Sequence, residues 1–272
     1  MRLPRIRKQH AILNGPTVDR GVAPVRMPEQ TAAAVFDSVS KSFDGRPVLS
    51  RISLEFPVNA VIAIVGESGS GKSTLLEHIN GLHRPDSGTV SVLGQPIDYS
   101  NLVRLRRQIG YAVQSVGLFP HLSAGTNTEL LPRLAGWDAQ RIADRRQWLM
   151  QLLELDAELA ARFPQQLSGG QQQRFGLCRA MMLEPALLLL DEPFSGVDPI
   201  TRQGIHQRFL RLQNEEPTTV VLVTHDLREA RKLAQYLVII RGGYIVQWGP
   251  TQELIANPAD DYVSTLFREH LQ

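Results

Sequence analysis

Short apolar runs broken by glycine, proline and acidic residues set the pattern of this chain, and they are of two kinds. Val61-Ile62-Ala63-Ile64-Val65, Leu187-Leu188-Leu189-Leu190 and Val220-Val221-Leu222-Val223 are continuous, as strands of a parallel sheet buried on both faces require. Residues 34–36, 39–43 and 47–49 instead surround Asp44-Gly45, a pair suited to the positive φ angles of a tight hairpin, and so predict an antiparallel ribbon. Residues 89–93 after Ser87-Gly88 and residues 109–113 predict two more strands. Residues 238–240 and 244–246 flank Arg241-Gly242-Gly243 as a closing hairpin. From Phe119 to about Gln165 the spacing turns helical. Residues 142–159 predict one amphipathic helix with Trp148, Leu152, Leu155 and Leu159 on a single face. The pattern predicts an α/β fold with a helical segment inserted into a sheet domain, regular structure beginning near Ala32.

Composition narrows the class. With 272 residues and 43% hydrophobic side chains the chain can build a full core. No apolar run approaches the roughly 20 residues that span a bilayer, so the chain is expected to be soluble or peripheral to a membrane. The N-terminus carries no apolar signal core, and secretion is not expected. A single cysteine, Cys178, excludes an intramolecular disulfide and suits a reducing compartment. The net charge of +2 is too small to argue for nucleic acid. Most of the excess sits in the first thirty residues, where Arg2, Arg5, Arg7, Lys8, Arg20 and Arg26 face only Asp19 and Glu29. The expectation there is a disordered extension, with an anchor to an anionic membrane as the alternative.

Candidate chemistry enters at the end of the first continuous run. Gly66-Glu67-Ser68-Gly69-Ser70-Gly71-Lys72-Ser73-Thr74 fits the phosphate-loop pattern G-x-x-x-x-G-K-[ST], with a strand before it and Leu75, Leu76 and Ile79 at core spacing after it. The glycines let successive N–H groups face inward, and the following helix N-terminus adds partial positive charge. Lys72 is placed to reach the β- and γ-phosphates of a nucleoside triphosphate, and the Ser73 hydroxyl to ligate Mg²⁺. The run 187–190 ends in Asp191-Glu192. Beside a phosphate loop, Asp191 can hold Mg²⁺ through water and Glu192 can act as general base on the attacking water; taken alone, the pair is equally a strand-end turn. In Leu167-Ser168-Gly169-Gly170-Gln171, Ser168 and Gln171 have capping-box spacing. The paired glycines leave that helix N-terminus bare, so its N–H groups and the Ser168 hydroxyl can meet a phosphate.

Phosphate loop, Leu-Ser-Gly-Gly-Gln and acidic strand end, in this order, resemble the nucleotide-binding subunits of ABC transporters. The resemblance runs from about Ala32 to the C-terminus. It implies an ATP-binding cassette of P-loop NTPase type: a mostly parallel core sheet, an antiparallel β subdomain and an inserted α-helical subdomain at about 115–165. Residues 1–31 would be the basic extension, 32–250 the ATP-binding domain and 251–272 a helical tail. By the same resemblance Gln114 is the Q-loop glutamine that links Mg²⁺ and water to the helical subdomain. Asp198 in Ser195-Gly196-Val197-Asp198 belongs to the D-loop, His225 is the switch histidine that meets the γ-phosphate, and Phe43 stacks on adenine, core packing being its rival. Two positions depart from the commoner pattern: Gly196-Val197 stands where Ala-Leu is usual, and Phe43 where Tyr is usual. The family arrangement implies two chains head to tail. Ser168, Gly169, Gly170, Gln171 and Asp198 of one would then complete the ATP site of the other.

Gly117-Leu118-Phe119-Pro120-His121-Leu122, Asp198-Pro199-Ile200-Thr201-Arg202 and residues 255–263 resemble the glycine betaine/carnitine/choline (osmoprotectant) importers. That implies ATP-driven uptake of a quaternary amine, with a second copy or a homologous ATPase subunit, integral permease subunits and, indirectly, a solute-binding protein as partners. Nucleic acid is not expected among them, and the location implied is the cytoplasmic face of the inner membrane. Many members of that group carry a C-terminal pair of CBS domains; in a sequence ending at Gln272 neither the pair nor regulation through it is expected. Importers of amino acids or other polar solutes, exporters, and soluble cassette proteins of DNA repair or translation are the alternative readings.

Overall fold

A computed structural model describes residues 32–113, 117–195 and 198–271. The first two strands, β1 (Ala32–Phe43) and β2 (Arg46–Pro57), form a hairpin in which Phe43 pairs with Arg46. Asp44 and Gly45 turn it at φ 49° and 75°, the left-handed pair that matches strand twist. β3 (Val61–Val65) then leads into α1 (Lys72–Ile79). β4 (Ser87–Val92) and the short β5 (Gln95–Pro96) complete a four-stranded antiparallel sheet in the order β2-β1-β4-β5. A single turn, α2 (Val103–Arg106), precedes β6 (Ile109–Ala112).

The helical insertion follows as α3 (Ala124–Leu134) and α4 (Ala139–Leu152), and α5 (Gly169–Met181) returns the chain to β7 (Leu187–Asp191). The single helix expected over 142–159 is not formed. α4 ends at Leu152, where Glu154 takes φ 50°, its N–H bonds to Gln151 O and Leu155 N bonds to Met150 O at 2.8 Å. That is a Schellman stop with Glu in the place usually given to glycine. Leu155 and Leu159 therefore reach the core from the loop and the 3₁₀ turn beyond it. The buried face of α4 is Ile142, Leu149 and Met150, whereas Trp148 and Leu152 lie at its margin.

α6 (Pro199–Glu215), β8 (Thr219–Val223), α7 (Leu227–Leu233), β9 (Tyr236–Arg241), β10 (Tyr244–Pro250), α8 (Thr251–Ala256) and α9 (Asp261–Leu271) complete the chain. The second sheet has the order β10-β9-β3-β8-β7-β6, parallel except for β10. Its central strands β3, β7 and β8 are buried at every position because both faces are covered. Ala63, Leu188, Leu222 and Ile239 pack into one core with the helices, while Ile64, Leu189, Val221 and Val238 pack into the other with the antiparallel sheet and α1. No helix among the described residues is long and apolar enough to cross a membrane.

Candidate nucleotide-binding site

β3, β8 and β7 are neighbours, so their C-terminal ends bring three loops together at one edge of the sheet. The first is residues 66–71. Gly66 has φ 158° and a Cβ there would lie 2.1 Å from Ile240 O; at Gly71, φ 104°, it would lie 2.9 Å from Val48 O. No other residue fits either position, which is why the loop can curl tightly over the end of β3. Lys72 is nearly buried, and its Nζ donates to Gly66 O at 3.0 Å and Glu67 O at 2.8 Å. Burial lowers its pKa, against the opposing pull of the Glu192 and Asp191 carboxylates.

The second loop begins at the end of β7. Ser73 Oγ donates to Asp191 Oδ1 at 3.1 Å, placing two hard oxygen atoms side by side. Asp191 is nearly buried; burial raises its pKa, and the Ser73 hydrogen bond opposes that shift. Glu192 takes φ 45°, a left-handed backbone held by its own N–H on Val223 O at 2.9 Å and by Ser195 N and Oγ on its carbonyl at 3.1 and 2.8 Å. The third loop follows β8. His225 Nδ1 stands 3.4 Å from Glu192 Oε2, with the imidazole largely open to solvent. Lys72, Ser73, Asp191, Glu192 and His225 thus converge.

The remaining candidates lie elsewhere. Ser168 caps α5: Gln171 N donates to Ser168 Oγ at 3.3 Å and Ser168 N to Gln171 Oε1 at 2.9 Å, the reciprocal pair its spacing predicts. A Cβ on Gly169 would meet nothing within 4 Å, so that helix end is open. α5 packs on α3, α4, α6 and β6, whereas α1 packs on β2, β4, β7 and β8. Asp198 caps α6 through Thr201 N at 3.0 Å, and this hydrogen bonding lowers its carboxyl pKa. Phe43 is 37% exposed, with the His83 ring edge-on at 4.9 Å and Lys41 Nζ at 5.3 Å. It is therefore not a core residue. Gln114 lies outside the described residues, as do Gly196 and Val197.

Two groupings have no counterpart in the sequence reading. Tyr262 of α9 lies under the Arg241 guanidinium at 4.1 Å, and its hydroxyl pKa is raised by burial and by the nearby Glu67 of the phosphate loop. Behind His225, Thr224, Glu229 and His206 form a buried polar cluster. Asp226-x-x-Glu229 has capping-box spacing, which would have marked Glu229 as a first-turn surface residue.

An antiparallel sheet against a parallel one, a helical insertion and this phosphate loop define an ATP-binding cassette. The family model for the ABC transporter matches residues 49–195, and the chain belongs to that family. It is 44% identical over 232 residues to a glycine betaine uptake system ATP-binding protein of Escherichia coli (strain K12), covering 85% of this chain and 75% of that protein. It is 41% identical over 228 residues to a choline transport ATP-binding protein of Bacillus subtilis (strain 168), covering 84% of this chain and 60% of that protein's length. Among solved structures, a dimeric ATP-binding cassette in a post-hydrolysis state bound to ADP and Pi matches with TM-score 0.74 at 30% identity, over 80% of this chain and 98% of the other. A protein of Clostridium perfringens that is part of an ABC transporter complex matches with TM-score 0.77 at 26% identity, over 85% and 93%.

Proposed function

We propose that this chain is the ATP-hydrolysing subunit of an importer for a quaternary amine osmoprotectant such as glycine betaine. The convergence of Lys72, Ser73, Asp191, Glu192 and His225 on adjacent strand ends supports the chemistry. The N–H groups of residues 66–74 cradle the phosphates and Lys72 matches their charge. Phe43 offers its exposed ring to adenine. Ser73 and Asp191 would hold Mg²⁺, and Gln114 would link it to the helical subdomain. When bound, the ion neutralises charge on the β- and γ-phosphates. Glu192 draws a proton from the attacking water, and His225 holds the γ-phosphate in line. A second copy, or a homologous ATPase subunit, supplies Ser168, Gly169, Gly170, Gln171 and Asp198 across a head-to-tail interface. Permease subunits, fed by a solute-binding protein, seat the pair on the cytoplasmic face of the inner membrane.

The cargo rests on the 44% identity to the glycine betaine uptake protein. An equal identity over 225 residues to an Fe(3+) ion import ATP-binding protein of Pseudomonas fluorescens makes importers of other polar solutes the second reading. Radiolabelled uptake decides between them. Cells lacking this subunit should lose ATP-driven uptake of glycine betaine, choline or carnitine and regain it with the intact chain. Retained quaternary-amine uptake with loss of iron or amino-acid uptake would contradict the cargo and leave the ATPase assignment standing.

A further inference from the structure

The polar cluster behind the third loop has no place in the chemistry above. Thr224 directly follows β8, and its N–H is fixed on Ile64 O at 3.2 Å. Its hydroxyl donates to Glu229 Oε2 at 2.5 Å and accepts from Asp226 N at 3.0 Å. Both neighbours of His225 are therefore tied, directly or through one hydroxyl, to Glu229. The other oxygen of Glu229 lies 2.7 Å from His206 Nε2. As an acceptor, the carboxylate takes the Nε2–H of His206 and the O–H of Thr224. His206 belongs to α6, the helix capped by Asp198, and Phe194, two residues beyond Glu192, stands edge-on to its ring at 4.7 Å. Arg202, also on α6, pairs with Asp226 at 3.7 Å. Thr224, His206 and Glu229 are 2%, 5% and 6% exposed.

A buried carboxylate is a poor way to stabilise a core, since apolar side chains of similar volume do so without desolvating a charge. Its value is geometric. Oxygen atoms with two fixed donors allow the turn 224–226 one arrangement, and that arrangement aims His225 at Glu192. We infer that Glu229, seated by His206, is a positioning residue for hydrolysis that acts through His225 and ties it to the helix beginning at Asp198. This inference rests on the reading of His225 as the γ-phosphate contact.

The test is steady-state ATP hydrolysis by the full chain assembled with its partners. Glu229→Gln keeps the shape but sets an NH₂ group against one of the two donors. It should lower kcat by about ten- to a hundredfold and change KM for ATP by less than about twofold. In the Glu229→Gln/His225→Ala double variant, turnover should be no slower than in His225→Ala alone, because both act at one step. His206→Leu, which removes the donor, should lower kcat in the same way, and His206→Gln, which keeps one, should restore most of it. Additive losses in the double variant, a raised KM at unchanged kcat, or a lowered melting temperature with normal kcat would each overturn the positioning role alone. Wild-type kcat in His225→Ala would overturn the reading of His225 itself, and the inference with it. Circular dichroism and binding of a fluorescent ATP analogue identify any variant that fails to fold, and the His206 pair then carries the test.

Discussion

Asp191 ends β7 with its carboxyl nearly buried, and burial holds its pKa above the ordinary carboxylate value despite the hydrogen bond from Ser73. A carboxyl whose pKa is higher folded than unfolded binds its proton more tightly in the native state. Its contribution to stability therefore falls as pH rises from the ordinary value through the raised one, and at neutral pH the ionised group weighs against folding. Asp191→Asn removes that burden with little change in shape. The nucleotide-free variant should melt higher than the parent at pH 7 by differential scanning calorimetry. Its Mg²⁺-dependent turnover should fall by at least about a hundredfold. A lower melting temperature would contradict the balance of burial over pairing. At this scale the sequence was legible wherever a residue's partners are local. Ser168 and Gln171, for instance, cap one another three residues apart. Glu229 was not legible, because the partner that defines it, His206, is 23 positions away on another helix.

Among the elements, the continuous apolar strands could be recognised because a strand covered on both faces has no polar side. The hairpin at Asp44-Gly45 could be recognised because few pairs tolerate two positive φ angles. The end of α4 could not. Leu152, Leu155 and Leu159 keep helical spacing across the break, and the stop rests on a left-handed Glu154, whose ion-pair partners Arg208 and Arg211 lie on α6. Spacing alone carries no record of such a contact. The two C-terminal helices are bound more firmly than a terminal tail requires: α9 packs on α7, Val263 and Phe267 enter the main core, and Arg228 Nε donates to His270 O at 3.0 Å. Phe267→Ala should accordingly cost about 3 kcal/mol, read as a lower urea midpoint with an unchanged slope. An unchanged midpoint would mean that α9 adds nothing to the stability of the cassette.

Taken whole, the molecule carries on different helices the two surfaces proposed above to meet phosphate. The first lies at the end of β3, and the second is the Ser168-capped N-terminus of α5, where a Cβ on Gly169 would meet nothing within 4 Å. Within one chain the hydrogen bond from Gln173 Nε2 to Ser195 O, at 2.7 Å, ties α5 to the segment after Glu192. On the proposed reading ATP is enclosed between two copies, each lending Ser168 to the other's phosphate loop. Light scattering after size-exclusion chromatography of Glu192→Gln, with and without ATP, tests it most directly. The amide keeps the shape of the site but is a far poorer base, so bound ATP should persist. The scattering mass should be that of one chain without nucleotide, two chains with ATP, and one chain again with ATP when Ser168→Arg is added. A single chain in ATP, or an ATP-induced dimer indifferent to Ser168→Arg, would contradict it.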